Sequence, residues 1–498
     1  MSIGWSMLSC TPGEFRLNSN NRFQEVAKKI SVVLLNGVLL VAMPACASVN
    51  LGRDSMPTMV EVTIFPQEPR QTMEGFGASS RVWDDPHVSN AGSTSVPAAA
   101  QENVLTLLYT DLGLTRMRPV LDGGVEPIND NVDPAAFDWT KFHFEWKRTD
   151  AHISLVEQAR AKGMTTFFVS PVTLEAWMTE DNPDEYVEWA LAIMLRWRDR
   201  GVELPYFSII NEPGYKRSGI WSAEWMRTVV KRLGARMRQE GFRTMLVIPD
   251  DLNPAEAYKR ASVVLRDSEA RRYVGALAYH LYDTTETELA HDLAHMRNLA
   301  AEYGIPIWMT EFSVPNDMTF SGAMEWMKII HKLVATYDVS AVDYMWGFFG
   351  AWERNHTILS IEFLDGKYVQ HHVGPLYYLT GQFSKFVRPG QVRVETHSSS
   401  QDLLVTAYKS GAQSVIVAIN AGQEDRRVNV TVTDAVAPLH FSAIRTTVRE
   451  FWSELEPIAS DTSTFNVALP AQSVTTYRGG SIDSAGTLSG VGIKKSAQ

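Results

Sequence analysis

Cysteine is almost absent from this chain of 498 residues. Its two cysteines, Cys10 and Cys46, both lie near the N-terminus, and none follows them. A disulfide framework and a thiolate metal site each need several cysteines close together in the fold. The sequence therefore excludes both.

Clusters of basic residues are absent as well. The chain has 46 lysines and arginines against 57 aspartates and glutamates, which gives a formal net charge of −11. A nucleic-acid-binding surface needs concentrated positive charge to face the phosphates, so nucleic acid is not an expected partner. Hydrophobic residues make up 45% of the chain, which is ample for a large core and excludes a disordered, collagen-like or coiled-coil protein.

Long apolar runs are limited to one segment of 14 residues, Ile30 to Met43. A membrane-spanning helix needs about 20 such residues, so no stable membrane span is expected. The run follows Lys28-Lys29 and precedes the small residues Ala45-Cys46-Ala47, an order that is typical of a secretory signal peptide. We predict a signal peptide over residues 1–47 and a secreted or periplasmic product.

Three alternatives apply to this segment. Acylation of Cys46 would make the product a lipoprotein, although Met43-Pro44-Ala45 fits that signal poorly. A buried helix of the fold is the second alternative, but nothing upstream would pack on it. The segment before Val26 makes the leader unusually long, so the third alternative is that the protein truly starts at Val26.

Short apolar segments alternate with longer amphipathic ones between residues 71 and 382, which indicates βα units and a parallel sheet. Residues 186–200 and 222–240 are clear examples of the predicted helices. The eight predicted strands cover residues 73–78, 114–119, 165–171, 206–211, 245–250, 274–280, 306–312 and 341–349.

Eight such units in about 275 residues predict a (β/α)8 TIM barrel over residues 71–382. A doubly wound open sheet is the alternative architecture. It would usually carry a glycine-rich phosphate loop after its first strand, and GFGASS at 75–80 is poor in glycine.

Apolar and polar residues alternate strictly after residue 383, in short segments separated by turn residues. This period is typical of an antiparallel β-sandwich, which we predict over residues 383–478. The early segment 58–70 has the same character, and we expect it to join the sandwich. Residues 479–498 are rich in glycine and serine and are predicted to form a flexible tail.

Two carboxylates stand where an active site is expected, at the C-terminal ends of barrel strands. The fourth predicted strand ends in Asn211-Glu212-Pro213 and the seventh in Thr310-Glu311-Phe312. These strands face each other across a barrel. Retaining glycoside hydrolysis needs such a pair, because one carboxyl protonates the leaving oxygen while the other attacks from about 5–5.5 Å away. Capping of helix N-termini is the alternative for each residue.

Other polar groups stand at strand ends. Arg116 and Arg118 alternate with Met117 and so point the same way; at least one could pair with a catalytic carboxylate. A surface ion pair is the alternative, and it is favoured for Arg118. His280 and Tyr282 flank the end of the sixth strand, where a tyrosine hydroxyl could hold the nucleophile ionised. Core packing is the alternative for both.

Aromatic rings suit a carbohydrate cleft because they stack on the C–H faces of sugars. Trp177 and Trp346 are favoured for this role, and Trp83 and Trp352 are further candidates that also follow strand ends. Metal binding is not expected, since His291 and His295 lie one helical turn apart without the HExxH pattern of a zinc protease.

Taken together, these segments resemble glycoside hydrolase family 30, in the (β/α)8 clan of retaining glycosidases. The resemblance covers about residues 58–478. It rests on QTMEGFGASS (71–80), GLTRMRP (113–119), SPVTLEAWM (170–178), NEP (211–213), WMTEFS (308–313), the His280-x-Tyr282 pair and GQFSKFVRPGQVRV (381–394).

The resemblance implies a barrel with a side β-sandwich built from both ends of the chain. It implies Glu212 as the acid/base and Glu311 as the nucleophile, with no metal or organic cofactor. Further roles follow by the same analogy: Asn211 would contact the sugar 2-hydroxyl, Arg116 and Tyr282 would orient the nucleophile, and Trp177 would line the glycone subsite.

The chain departs from the family pattern in the segment 170–178. Val172 replaces an aromatic residue, and Leu174-Glu175 replaces a pair of prolines. Arg81-Val82-Trp83 follows the first strand. These positions would shape the substrate pocket, so they bear on substrate identity rather than on mechanism.

The sequence therefore predicts an exported retaining β-glycoside hydrolase whose partner is a β-linked glycoside or polysaccharide. Members of the resembled family act on β-glucosides, glucosylceramide, β-1,6-glucan, β-1,6-galactan or β-1,4-xylan, and the motifs do not choose among these. The alternatives are a non-catalytic glycan-binding protein on a degenerate barrel and a transglycosylase of the same clan.

Overall fold

Twenty strands and nine α-helices are seen in the computed structural model, which describes residues 59–481 apart from 86–87, 89–94, 130–132, 135–143, 216–220, 351–355, 412 and 436–437. The predicted signal peptide (1–47), both cysteines, Trp352 and nearly all of the predicted tail lie outside the described residues. Within the described part, no helix is long and apolar enough to cross a membrane.

The first strand, β1 (Val60–Thr72), belongs to a side sheet, and the next eight close into a parallel barrel in chain order. The last barrel strand pairs with the first, so the sheet has no open edge. The predicted TIM-barrel fold is confirmed, and the doubly wound alternative is wrong. The barrel strands are β2 (Gly75–Ser80), β3 (Arg116–Leu121), β4 (Thr166–Pro171), β5 (Tyr206–Ser208), β6 (Met245–Asp251), β7 (Val274–His280), β8 (Ile307–Glu311) and β9 (Ala341–Tyr344).

Helices follow the barrel strands in the chain and contribute buried side chains to one large apolar core. The described helices are α1 (Ala98–Leu105), which continues as a π-helical turn (Thr106–Asp111), α2 (Lys147–Arg160), α3 (Pro183–Asp199), α4 (Ala223–Gln239), α5 (Pro254–Arg266), α6 (Ser268–Arg271), α7 (Glu286–Tyr303), α8 (Phe320–Tyr337) and α9 (Pro375–Ser384).

Local sequence explains where these helices begin. Helix α3 has proline at its first position and acidic residues in its first turn, where both are favoured. Helix α4 begins after Ser222, whose hydroxyl accepts the N–H of Trp225. Helix α7 has a full capping box between Thr285 and Glu288.

The predicted eighth barrel strand over 341–349 is two strands. Strand β9 ends at Tyr344, and β10 (Trp346–Gly350) joins a separate three-stranded sheet with β11 (Thr357–Leu364) and β12 (Lys367–Val373). The largely apolar run AVDYMWGFF does not show this break, because both strands are buried and β10 finds its hydrogen-bond partner in β11. Trp346 therefore stands just beyond the barrel rather than within it.

A nine-stranded, mostly antiparallel sheet forms the side domain. Strand β1 lies inside it, antiparallel to β13 and parallel to β16. Alternate residues face a separate apolar core that includes Val62, Val405, Ile416 and Phe465. The remaining strands are β13 (Val392–Ser398), β14 (Leu403–Ser410), β15 (Gln413–Asn420), β16 (Arg426–Val432), β17 (Leu439–Thr446), β18 (Ser453–Ser460), β19 (Thr464–Leu469) and β20 (Ser473–Ser481).

The opposite face of this sheet packs on the barrel. Tyr408, Val417 and Val474 belong to the same apolar cluster as the barrel helices. Gln382 at the end of α9 donates to the hydroxyl of Thr446, and Thr476 donates back to Gln382. Apolar packing and buried hydrogen bonds thus join the side sheet to the barrel.

Candidate active site

Glu212 and Glu311 meet at the mouth of the barrel. Glu311 is the last residue of β8, and Glu212 follows β5 in a left-handed conformation with φ of 49°. That conformation is uncommon for a residue with a side chain and is held here by a backbone bond from Glu212 N to Asp250 O of 2.8 Å. One oxygen of each carboxylate and one ring nitrogen of His280 all lie within 4.8 Å of one another.

Arg118 is the arginine that contacts the predicted nucleophile. Its Nη1 lies 2.7 Å from Glu311 Oε2, and its Nη2 contacts Asp250 Oδ2 at 3.1 Å and the side-chain oxygen of Asn211. Burial alone lowers the pKa of Arg118, but the charges of Asp250 and Glu311 raise it above its usual range. The side chain is completely buried, so the surface ion pair favoured for Arg118 is wrong.

Arg116 faces the same interior but reaches a different partner. Its Nε lies 3.0 Å from Asp343 Oδ1, and its guanidinium carbon lies 4.1 Å from the centre of the Trp308 ring. Arg116 and Arg118 are two residues apart on β3, which separates them by about 6.6 Å along the barrel. Arg118 is nearer the mouth, so orienting Glu311 falls to Arg118 and not to Arg116.

Tyr282 and His280 each contact one of the two glutamates. The Tyr282 hydroxyl donates to Glu311 Oε1 at 3.3 Å, and burial together with the charges of Glu311 and Glu212 raises its pKa well above 10. His280 Nδ1 lies 2.9 Å from Glu212 Oε1. Burial by itself would lower the pKa of His280, but Glu311, Asp250 and Glu212 together raise it to about 10. Both nitrogens of this protonated ring therefore donate.

Asp250 is the residue that sequence reasoning missed. It is the next-to-last residue of β6, is completely buried, and accepts from Arg118 and from His280 Nε2 at 3.3 Å. Burial raises its pKa, but Arg118 and His280 outweigh burial and lower it far below the usual range. The predicted strand 245–250, MLVIPD, ends in this carboxylate. A carboxylate at a strand end is the signal that pointed to Glu212 and Glu311, and it could also have pointed to Asp250. The Asp250 carboxylate also accepts three hydroxyl groups, those of Ser170, Ser208 and Thr310.

Three tryptophans predicted to bind substrate follow the ends of barrel strands, and their surroundings differ. Trp83 stacks on Phe348 with ring centres 4.2 Å apart and is 9% exposed. Trp346 stacks on Phe349 and is covered on one side by Arg81, whose guanidinium carbon lies 5.2 Å from the ring centre. Trp177 is half-buried, and its Nε1 donates to Glu126 O at 2.8 Å. Their contact with sugar stays a prediction.

Two groups of side chains in the described residues have the composition of a metal site. One is Glu212, His280 and Glu311, where Arg118 and the protonated His280 already supply positive charge that a metal cation would have to displace or oppose. The other is His291, Asp292 and His295 on one turn of α7, where the His291 side chain is 68% exposed. The absence of a metal requirement stays a prediction.

Comparison with protein families gives no matching family model. Among curated proteins, the chain is 27% identical over 298 residues to glucuronoxylanase XynC of Bacillus subtilis (strain 168), a match that spans 56% of this chain and 62% of the relative. It is 23% identical over 423 residues to putative glucosylceramidase 1 of Caenorhabditis elegans, spanning 73% of this chain and 76% of that one.

Solved structures share the fold. A GH30 endoxylanase from Clostridium papyrosolvens C71 superimposes with a TM-score of 0.66 at 24% identity, covering 84% of this chain and all of that one. At this identity the likeness establishes the barrel and its side sheet, and the chemistry has to be argued from the site itself.

Proposed function

From the resemblance to glycoside hydrolase family 30, which the comparisons confirm, we propose that this chain is a retaining β-glycoside hydrolase. The observation that carries the proposal is the closeness of Glu212 and Glu311, which have carboxylate oxygens within 4.8 Å of each other at the barrel mouth. Retaining glycosidases hold their carboxyl groups about 5–5.5 Å apart, whereas inverting enzymes need about 6.5–9.5 Å to admit a water.

In the first step, Glu311 attacks the anomeric carbon of the sugar. The bond between that carbon and the glycosidic oxygen breaks, and Glu212 gives its proton to the departing oxygen. Arg118 and Tyr282 contact different oxygens of Glu311, at 2.7 and 3.3 Å, and these contacts favour the ionised nucleophile. A covalent glycosyl–enzyme ester is the product of this step.

In the second step, water takes the place of the departed group. Glu212 accepts a proton from the water, whose oxygen bonds to the anomeric carbon as the ester to Glu311 breaks. Glu212 is negatively charged between the two steps, and His280 donates to it across 2.9 Å. A hydrogen bond from a protonated imidazole stabilises that carboxylate and so favours the intermediate.

The substrate class follows from relatives and from the cleft. The relatives are named for glucuronoxylan and glucosylceramide, both of which carry β-linked sugars. Trp83, Trp177 and Trp346 follow the ends of three barrel strands, and we propose that these rings stack on a sugar. We therefore propose a β-linked glycoside or polysaccharide as substrate.

Export is the second part of the proposal. It is supported by the positive pair, the apolar run and the small residues that end at Ala47. Polymeric β-glycans lie outside cells, so an exported enzyme would meet them directly.

The test of the mechanism is covalent labelling. An activated 2-fluoro β-glycoside should inactivate the protein and leave its sugar on Glu311, as read by peptide mass spectrometry. Glu311→Gln should escape labelling and lose activity by several orders of magnitude. Glycan binding without hydrolysis by the unmodified protein would favour the binding-protein alternative, and an unaltered rate in Glu311→Gln would refute the assignment.

A further inference from the structure

Glu175 is a buried carboxylate outside the catalytic pair, and it stands where the resembled family has proline. The residue is 6% exposed. Its carboxylate accepts three successive backbone N–H groups, from Gly124 at 2.9 Å, Val125 at 2.8 Å and Glu126 at 3.0 Å. Successive N–H groups that converge in this way form an anion-binding concavity, and here the anion is a side chain of the protein.

Two glycines allow this approach. A Cβ added to Gly123 would lie 3.1 Å from the carbonyl oxygen of Leu174, a tight contact that would push the loop after β3 away from the loop after β4. Gly124 has φ of +93°, a left-handed conformation that turns the following N–H groups towards Glu175. The Gly123 N–H also donates to the Thr173 hydroxyl at 2.8 Å.

Glu175 connects residues 124–126 to the barrel core and to Trp177. Trp189 of α3, which is completely buried, donates its Nε1 to Glu175 Oε1 at 3.1 Å. Glu126, whose N–H is bound by Glu175, accepts the Nε1 of Trp177 through its carbonyl oxygen at 2.8 Å. The Trp177 ring is therefore held by a loop that is itself held by Glu175.

We propose that Glu175 is a positioning residue for the sugar-binding wall of the cleft, which fixes Trp177 by anchoring residues 124–126. The inference rests on the proposed function, and it adds a specificity-determining residue at a position where this chain departs from the family pattern. Among the described residues, the hydrogen bonds of Glu175 reach neither Glu212 nor Glu311. Its effect should therefore fall on sugar binding and not on bond cleavage.

The kinetic test is Glu175→Gln, assayed on a short β-glycoside. The amide keeps the shape but replaces an acceptor oxygen with an N–H₂ group that faces backbone donors. We expect KM to rise about tenfold while kcat changes less than about threefold. Glu180→Gln is the matched control, since Glu180 lies on the same loop and contacts Ser222 of the α4 cap instead. Equal KM values in Glu175→Gln and the unmodified protein would overturn the inference.

A double-mutant cycle tests whether Glu175 acts through Trp177. Trp177→Phe keeps a ring but removes the Nε1 donor, so it should raise KM in the same direction. If both residues act on one element, KM should rise no further in the double variant than in the more affected single variant. Independent, multiplicative effects on KM would contradict the positioning role.

Hydrogen exchange gives a readout that does not depend on activity. The amides of Gly124, Val125 and Glu126 should exchange at least about tenfold faster in Glu175→Gln, and at an unchanged rate in Glu180→Gln. Unchanged exchange in Glu175→Gln would show that the carboxylate does not hold the loop. Failure of the unmodified protein to hydrolyse any β-glycoside would instead refute the proposed function, so the two failures are distinguishable.

Discussion

Arg118 donates to Asp250 across 3.1 Å, and this ion pair connects the two proposed catalytic carboxylates. Arg118 also contacts Glu311, while Asp250 contacts His280, which contacts Glu212. Charge therefore alternates in sign along Glu311, Arg118, Asp250 and His280, and the alternation extends to Glu212 when Glu212 has given up its proton. Buried charges are tolerated when each is paired in this way, and removing one member leaves its neighbours uncompensated.

The two inward arginines of β3 should respond differently to replacement by lysine. Arg118→Lys should lower kcat/KM about a hundredfold, because one ammonium group cannot reach Glu311, Asp250 and Asn211 together. Arg116→Lys should mainly lower the free energy of unfolding, because its carboxylate partner is Asp343 and not Glu311. Kinetics and urea unfolding of both variants would test this, and equal losses of kcat/KM would show that the assignment to Arg118 is wrong.

Stability should fall as the pH rises above neutrality, through His280. Its pKa is about 10 in the folded protein, against an ordinary value of about 6.5. The folded state therefore binds the proton more tightly, and this contribution is complete below about pH 6.5 and lost as the pH passes 10. Urea unfolding at pH 6, 8 and 10 should show a steeper decline in the unmodified protein than in His280→Gln. Parallel declines would contradict the prediction.

The loss of activity on replacing Glu212, the proposed acid, should depend on the leaving group of the substrate. Glu212→Gln should lose several orders of magnitude on an unactivated β-linked substrate, because the departing oxygen then has no proton donor. The first-step rate on a nitrophenyl-type glycoside should fall far less, since its leaving group departs as a stable anion. Glu311→Gln should lose activity on both substrates. Equal losses of the first-step rate on both substrates in Glu212→Gln, measured by pre-steady-state kinetics, would argue against an acid role.

Export predicts a defined mature N-terminus. Expression in a bacterial host with a secretory pathway, followed by N-terminal sequencing of the exported protein, should find Ser48 as the first residue. Ala47→Lys should block the cleavage. Fatty-acid labelling that is lost in Cys46→Ser would establish the lipoprotein alternative in its place.

Much of this protein was readable from sequence alone. The alternation of short apolar segments with amphipathic helices predicted the barrel, and the switch to a period of two predicted the side sheet, because each period reflects which faces must be buried. The position of Glu212 and Glu311 at strand ends was readable for the same reason, since parallel strands in a barrel end at one rim.

Only the tertiary structure decided which groups act on those carboxylates. The sequence places Arg116 and Arg118 on one face of β3, but the stagger of neighbouring strands determines which of them reaches Glu311. Asp250, His280 and Arg118 come from distant segments, and their pairing depends on barrel closure. The bonds from Glu175 to residues 124–126 join two loops whose approach depends on strand register and glycine geometry. Local patterns specify each strand and helix, whereas buried charges find their partners only when the barrel brings distant strand ends within hydrogen-bonding distance.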